Sequence, residues 1–295
     1  MKATILTLAA SAVVAMLVVS IFEKDSTAGD STSSHRRLGL GWLSNSALTD
    51  PQTLVFKPPL EYLWNGKDIY YQTALATNPT PDKVTRHSYQ TMYGRFLLPY
   101  YYSNPTMKML EIGLGCNMKY GPGASVKLYK TLFPQAELWE AEYVEKCVKQ
   151  HAGSEMMRGI NTLTGDQGDY ATLDRWIAES GGNFDVVIDD GGHQNCQIWN
   201  SFNKLWPTVK PGGLYFIEDM EVAKKEHKRQ AQNPCTENVV VPEKLKHIFD
   251  VLIYEEFGQQ RFETDIEFMF CQADACVLGK KLDTDPASVW WNKSK

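Results

Sequence analysis

A chain of 295 residues, 43% of them hydrophobic, leaves about 200 residues for one core after its N-terminal region is set aside, which is ample. Its 30 basic and 35 acidic residues give a formal charge of -5, and no basic stripe runs along it. Both features argue against nucleic acid as a partner or substrate.

Residues Ala3 to Phe22 carry no charge, with Lys2 before them and Glu23-Lys24-Asp25 after. At about 1.5 Å per residue such a helix spans a bilayer core of roughly 30 Å. Residues 1–22 are therefore expected to be a signal anchor, or else a cleaved signal peptide, since Ser26-Thr27-Ala28 offers small residues for processing. Either reading puts the remainder on the lumenal or exterior side, membrane-anchored in the secretory pathway or secreted, because Lys2 tends to stay cytoplasmic. Residues 23–80 read as a Ser/Thr-rich stem followed by an extension packed on the domain, residues 81–285 as the main domain, and 286–295 as a tail.

Met109-Leu110-Glu111-Ile112-Gly113-Leu114-Gly115 reads as a strand entering a glycine turn. After Gly121-Pro122-Gly123, the residues Val126, Tyr129, Leu132 and Phe133 recur at helical spacing until Pro134. Glycines admit a ligand to backbone amides, and a helix start adds partial positive charge. The next strand, Ala136 to Glu142, ends in an acid 19 residues beyond Gly123, close to the spacing at which a carboxylate grips ribose hydroxyls.

Thr164-Gly165-Asp166-Gln167 follows, and then two apolar runs stop abruptly in acids: Phe184 to Asp189-Asp190-Gly191-Gly192-His193, and Gly213 to Glu218-Asp219. In an open parallel sheet such ends face the ligand crevice, so neighbouring strands would bring Asp189, Asp190, Glu218 and Asp219 together. Carboxylates crowded in this way repel one another unless a cation, a protonated partner or solvent compensates, and a divalent metal is the economical explanation. Asp189 is read as bonding at its strand end, outside the ligand set. His193 stands beside the acids as a candidate base.

Met220 to Pro242 is polar, with Lys224, Lys225, Lys228 and Arg229, and reads as a solvated segment or a lid. Leu245, Ile248, Phe249 and Leu252 form a helical stripe ended by Gly258, and Ile266–Cys271 with Ala275–Leu278 makes a hairpin. The succession of elements predicts an α/β fold, a doubly wound, mostly parallel Rossmann-like sheet with a C-terminal antiparallel hairpin. The six cysteines show no zinc-type spacing, and some are expected to pair in an oxidising lumen. Asn292-Lys293-Ser294 is a glycosylation sequon if the chain is exported.

From about Pro81 to Lys281 these residues resemble the class I S-adenosylmethionine (SAM) dependent methyltransferases, in particular the metal-dependent branch of macrocin and mycinamicin sugar O-methyltransferases. The resemblance is carried by Asp82-Lys83, His87-Ser88-Tyr89, Tyr93, Leu110 to Gly113, Gly165-Asp166-Gln167, Ile188 to His193, Pro211-Gly212-Gly213 and Ile217-Glu218-Asp219. It implies Asp190, Glu218 and Asp219 as Mg²⁺ ligands and His193 as general base. It also implies Glu111, Gly113 and Gly115 in the SAM pocket, Glu142 on the ribose, and Asp166 with Gln167 near the adenine. Asp189 is counted with the cofactor-binding residues, and His87 and Tyr89 with the substrate. The chain departs from the pattern at Gly192, where relatives often have Ser or Pro, and at Cys116-Asn117-Met118-Lys119-Tyr120, which lengthens the glycine loop.

Methyl transfer to a sugar hydroxyl suits such a set, because chelating neighbouring oxygens on Mg²⁺ lowers the pKa of one hydroxyl and aims it, and an imidazole can take its proton. The expectation is a SAM- and Mg²⁺-dependent O-methyltransferase acting on a sugar or other polyhydroxylated acceptor. Its alternatives are a cephalosporin hydroxylase-like or catechol-type enzyme on the same fold, and a noncatalytic glycan-binding surface protein. The expected partners are a small-molecule or glycan acceptor and the membrane, with a homo-oligomer left open.

Overall fold

The computed structural model describes residues 60–221, 239–254 and 265–282. The apolar segment Ala3–Phe22, the stem, the lysines at 224, 225 and 228 with Arg229, the helix end at Gly258 and the sequon lie outside the described residues. Among the described residues no helix is long and apolar enough to cross a membrane.

Seven strands form one sheet: β1 (Lys108–Ile112), β2 (Glu137–Glu142), β3 (Asn161–Thr164), β4 (Phe184–Asp189), β5 (Val209–Ile217), β6 (Ile266–Gln272) and β7 (Ala275–Lys280). Their order is 3-2-1-4-5-7-6, with β1 to β5 parallel and β7 antiparallel to both β5 and β6. This is the expected sheet and hairpin. The order in which strands are added reverses between β1 and β4, so a crevice opens beyond their carboxyl ends.

Alternation along the strands sorts side chains into two cores. Leu110, Val187, Tyr215 and Leu278 face one side, with Trp176, Phe202 and Trp206, whereas Met109, Val186, Phe216 and Val277 face the other, with Tyr70, Tyr93 and Tyr129. Both faces are thus covered, as a parallel sheet requires. The Pro211-Gly212-Gly213 turn lies inside β5, which begins at Val209; its pairing with β4 jumps from Val209 to Leu214, so the turn is a bulge.

The extension before the sheet contributes to the second core. Helix α1 (Leu60–Ala76) leads through α2 (Asp82–Thr85) and α3 (Gln90–Met92) into a π-helical turn, Tyr93–Leu97, and α4 (Leu98–Ser103). Gly66 of α1 and Gly94 of the π turn meet backbone to backbone. A Cβ on Gly66 would stand 2.0 Å from the Gly94 carbonyl oxygen, and one on Gly94 would stand 2.3 Å from the Gly66 carbonyl carbon. Only glycine permits that approach. It allows Tyr70 to stack on Tyr93 at 5.0 Å, and Tyr93 on Phe216 of β5 at 4.9 Å.

The remaining helices are α5 (Ala124–Leu132), α6 (Glu145–His151), α7 (Tyr170–Ser180), α8 (Asn195–Leu205) and α9 (Val241–Tyr254). Asp169 caps α7, accepting from the amides of Ala171 and Thr172. In α9 the predicted apolar stripe narrows: Leu245 and Ile248 are buried, whereas Phe249 is 51% exposed.

Candidate active site

A cavity of about 430 Å³ opens at the carboxyl ends of the central strands. Gly113, Gly115, Glu142, Asp166, Gln167, Asp190, His193 and Asp219 line it, together with residues of the long glycine loop and Asp82, Lys83 and Arg86. The turn after β1 has to be glycine: Gly113 has φ +113°, and a Cβ there would lie 2.1 Å from the Asp190 carbonyl oxygen. The loops after β1 and β4 therefore touch, and the Asp190 amide donates to the Ile112 carbonyl at 3.0 Å.

On the β2 side, Glu142 ends its strand with a fixed carboxylate. The Val144 amide donates to its Oε1 at 2.9 Å and the Cys116 amide to its Oε2 at 3.3 Å. Gln167 is held just as firmly. Its Nε2 donates to Asp189 at 2.8 Å, and its Oε1 accepts from the Gly192 amide at 2.6 Å. Asp189 itself is buried beneath the cavity and does not line it; its partners are the side chains of Gln167, Ser201 and Tyr215. Burial pushes its carboxyl up to about 6, against the hydrogen bonds from Ser201 and Gln167. Asp189 thus meets the cavity through Gln167, which lines it.

On the β5 side the acids divide. Asp219, Asp190 and His193 offer ligand atoms that lie within 4.8 Å of one another. His193 Nε2 is 3.3 Å from Asp219 Oδ2, and His87 Nε2 is 3.3 Å from Oδ1. The Tyr89 hydroxyl donates to Asp219 Oδ1 at 2.7 Å, and Tyr89 stacks on His87 at 4.8 Å. Burial works against the Asp219 charge, but His193, Tyr89 and His87 hold its carboxyl below the usual range. His87 and Tyr89, expected to touch substrate, are absent from the cavity wall, and Tyr89 is buried behind Asp219.

Glu218 points inward. Lys83, 2% exposed, donates to Glu218 Oε1 at 2.8 Å and to Asp190 Oδ2 at 2.5 Å, and its Nζ lies 3.2 Å from Glu111 Oε1. The Tyr93 hydroxyl donates to the same Glu218 oxygen. Glu111 also accepts from Ser125 at 2.5 Å and from Tyr129 at 3.2 Å, so it sits wholly buried below the cavity rather than lining it. Burial alone would lower the Lys83 pKa, but Asp190 and Glu218 beside it hold it well above the usual lysine value. The ammonium stays charged. Burial, followed by the Asp190 charge, drives Glu218 upward. Glu140, in register with Glu111 on β2, is driven upward too, first by burial and then by the Glu111 charge.

Lys83 is the site residue that sequence reasoning left without a role. It lies 28 residues before Glu111 and 107 before Asp190, so no spacing points to it. The available signal was the surplus of acid at the strand ends, which calls for a cation, and part of that cation is a lysine.

The observed donors fit a divalent ion. Asp190 and Asp219 supply carboxylate oxygens beside the cavity, with His193 adjacent, an oxygen-rich set suited to Mg²⁺. The cavity and the Glu142 carboxylate likewise suit a nucleoside-type ligand of moderate size.

A sheet in this order, closed by an antiparallel hairpin and opening at its switch point onto a glycine turn and a strand-end acid, is the fold of the class I SAM-dependent methyltransferases. Within that class the chain is similar to mycinamicin VI 2''-O-methyltransferase of Micromonospora griseorubida, 41% identical over 124 residues, covering 41% of this chain and 29% of that protein. It is also similar to demethylmacrocin O-methyltransferase of Streptomyces fradiae, 36% identical over 146 residues, covering 49% and 34%. Among solved structures, the MycE methyltransferase from the mycinamycin pathway in complex with Mg and SAH matches with a TM-score of 0.59 and 27% identity over 73% of this chain and 55% of that one. A MycE complex that also contains mycinamycin VI matches with a TM-score of 0.57 and 28% identity, over 78% and 55%. No family model matches the chain. The chain spans about a third of the length of these curated relatives. The resemblance read from the motifs holds.

Proposed function

We propose that the domain is a SAM- and Mg²⁺-dependent O-methyltransferase that acts on a hydroxyl of a sugar or similar polyhydroxylated molecule. The observation that carries this reading is the convergence of Asp190, His193 and Asp219 on the cavity that Glu142 and the glycine turn also line. The names of its relatives, O-methyltransferases that include one for a rhamnosyl tetracenomycin-C, and MycE complexes with Mg and SAH support it.

When bound, SAM supplies an electrophilic methyl group and Mg²⁺ supplies Lewis acidity toward an acceptor hydroxyl. Gly113 and Gly115 border the methionine end, Glu142 accepts from ribose hydroxyls, and Asp166 with Gln167 borders the adenine. Asp190 and Asp219 hold the ion, with Glu218 behind them. His193 takes the acceptor proton at an imidazole nitrogen while Asp219 stabilises the imidazolium that forms. The same Asp219 carboxylate would both hold the ion and orient His193. His87 and Tyr89 orient Asp219 from behind.

Lumenal or exterior placement, through the anchor or signal read in residues 1–22, is part of the proposal. Disulfide-bonded Cys116, Cys147, Cys271 and Cys276 support it, since such bonds persist in oxidising compartments. A lumenal enzyme of this kind draws on imported SAM. The test is transfer from methyl-labelled SAM to a panel of monosaccharides and glycosides by the full chain, with Mg²⁺ or with a chelator. Chelator-sensitive labelling of a hydroxyl is expected. Transfer that ignores the chelator, or none from a SAM-binding protein to any acceptor, would count against it.

A further inference from the structure

The segment that lengthens the glycine loop builds part of the cavity wall. Asn117, Met118 and Tyr120 line the cavity, and Cys116, behind them, is bonded to Cys147 of α6, with a Cα separation of 6.2 Å. This bond closes a ring around the carboxylate. The Cys116 amide donates to Glu142 Oε2 at 3.3 Å, the Val144 amide donates to Oε1 at 2.9 Å, and the Cys147 amide donates to the Val144 carbonyl at 2.9 Å. The disulfide then leads back to Cys116.

Cys116 also packs on Leu114, Val126, Val148 and Met157, a small apolar cluster separate from the two main cores. The long Cys116–Glu142 hydrogen bond is the weak member of the ring. Inside the loop, single backbone bonds run from Met118 to Gly115 at 3.0 Å and from Gly121 to Met118 at 2.9 Å, and the Gly123 amide donates to the Leu114 carbonyl at 2.8 Å where the loop closes. A second disulfide, Cys271–Cys276, joins residues directly opposite each other on β6 and β7, and neither residue lines the cavity.

We infer that the Cys116–Cys147 bond is a positioning device for the cofactor pocket: it holds the inserted loop against α6, so that Glu142 keeps its orientation and the wall of Asn117, Met118 and Tyr120 stays in place. The inference rests on the proposed SAM site. It gives the inserted segment a role, that of a covalently fastened pocket wall. Loss of a crosslink that only stabilised the fold would lower the unfolding temperature but leave ligand affinity, and its dependence on Glu142, unchanged.

The test is calorimetric titration of SAH into the full chain in detergent, after non-reducing peptide mapping has identified the bond. The wild type is compared with Cys116→Ser/Cys147→Ser, with Cys271→Ser/Cys276→Ser, and with each combined with Glu142→Gln. Loss of the first pair is expected to weaken SAH about 10-fold or more, and loss of the second to change it by less than about 2-fold. In the Glu142→Gln background the effect of the first pair should shrink, because the part that acts through the carboxylate is already lost. Where the serine pair fails to fold, Cys116→Ala/Cys147→Val replaces it, in keeping with the apolar cluster. Wild-type affinity in the folded pair variant, or an undiminished effect beside Glu142→Gln, overturns the inference alone. A folded wild type that binds no SAH overturns the proposed function and this inference with it.

Discussion

The acids at the ends of β4 and β5 fall into an inner and an outer half, and the two halves use the same chemistry to opposite ends. In the inner half, Glu111, Asp190 Oδ2 and Glu218 surround a lysine that is 2% exposed and whose bonds bind the N-terminal helices to the sheet. In the outer half, Asp219 faces His193, His87 and Tyr89 at the cavity edge, and none of those partners has a fixed positive charge. A buried carboxylate requires a permanent counter-charge, whereas one at a solvated edge can exchange its partners for an ion. Whether the protein supplies its own cation thus separates Glu218 from Asp219, while Asp190 bonds Lys83 and also lies beside His193 and Asp219.

Four changes sharpen or break that division. The largest effect is expected from Lys83→Met, which leaves three carboxylates without their ammonium and should cost about 3–5 kcal/mol in denaturant unfolding; a loss near zero would mean the inner half is not an ionic cluster. His193→Gln, in the outer half, should lower kcat about 10²- to 10⁴-fold while SAH affinity and unfolding stay close to wild type. Gly94→Ala forces a methyl group onto the backbone of α1 and should cost about 1–3 kcal/mol through displaced Tyr93 and Tyr70, seen as a lower unfolding midpoint. Asp219→Asn should cost only about 1 kcal/mol in stability. Its divalent-ion affinity, measured by Mn²⁺ titration, should nevertheless fall about 10-fold or more. Equal stability losses from Asp219→Asn and Lys83→Met would erase the distinction between the halves.

Much of the scaffold was legible because its elements carry unambiguous patterns. β4 is six consecutive buried residues ending in acids, and the hairpin is two apolar runs around Gln272-Ala273-Asp274. Other elements had no such pattern. β3 has only four residues with a single fully buried side chain, and α6 is polar and largely exposed. The π turn and the Gly66–Gly94 contact depend on a crossing of two helices that no local window contains. Phe249 misled because an apolar residue at helical spacing need not face the core.

Within the site, Gly113, Gly115, Glu142, Asp166, Gln167, Asp190, His193 and Asp219 meet on one cavity because each follows a strand end or glycine turn visible in the sequence. Glu111, Asp189, Tyr89 and Glu218 were visible as residues but not in their orientation. Strand alternation turns Glu111 toward Tyr129 and Lys83, and Asp219, rather than Glu218, continues toward the cavity from a left-handed backbone with φ +54°. Cys116 and Cys147, 31 residues apart, could be counted but not paired until the fold brought the loop and α6 together.

The most direct test of the central claim is calorimetric titration of SAH into the full chain, with and without Mg²⁺, for the wild type and for Asp190→Ala. Saturable SAH binding by both proteins is predicted, with Mg²⁺ binding present in the wild type and lost in the variant. A folded wild type that binds neither SAH nor Mg²⁺ would contradict the claim and leave a methyltransferase fold put to another use.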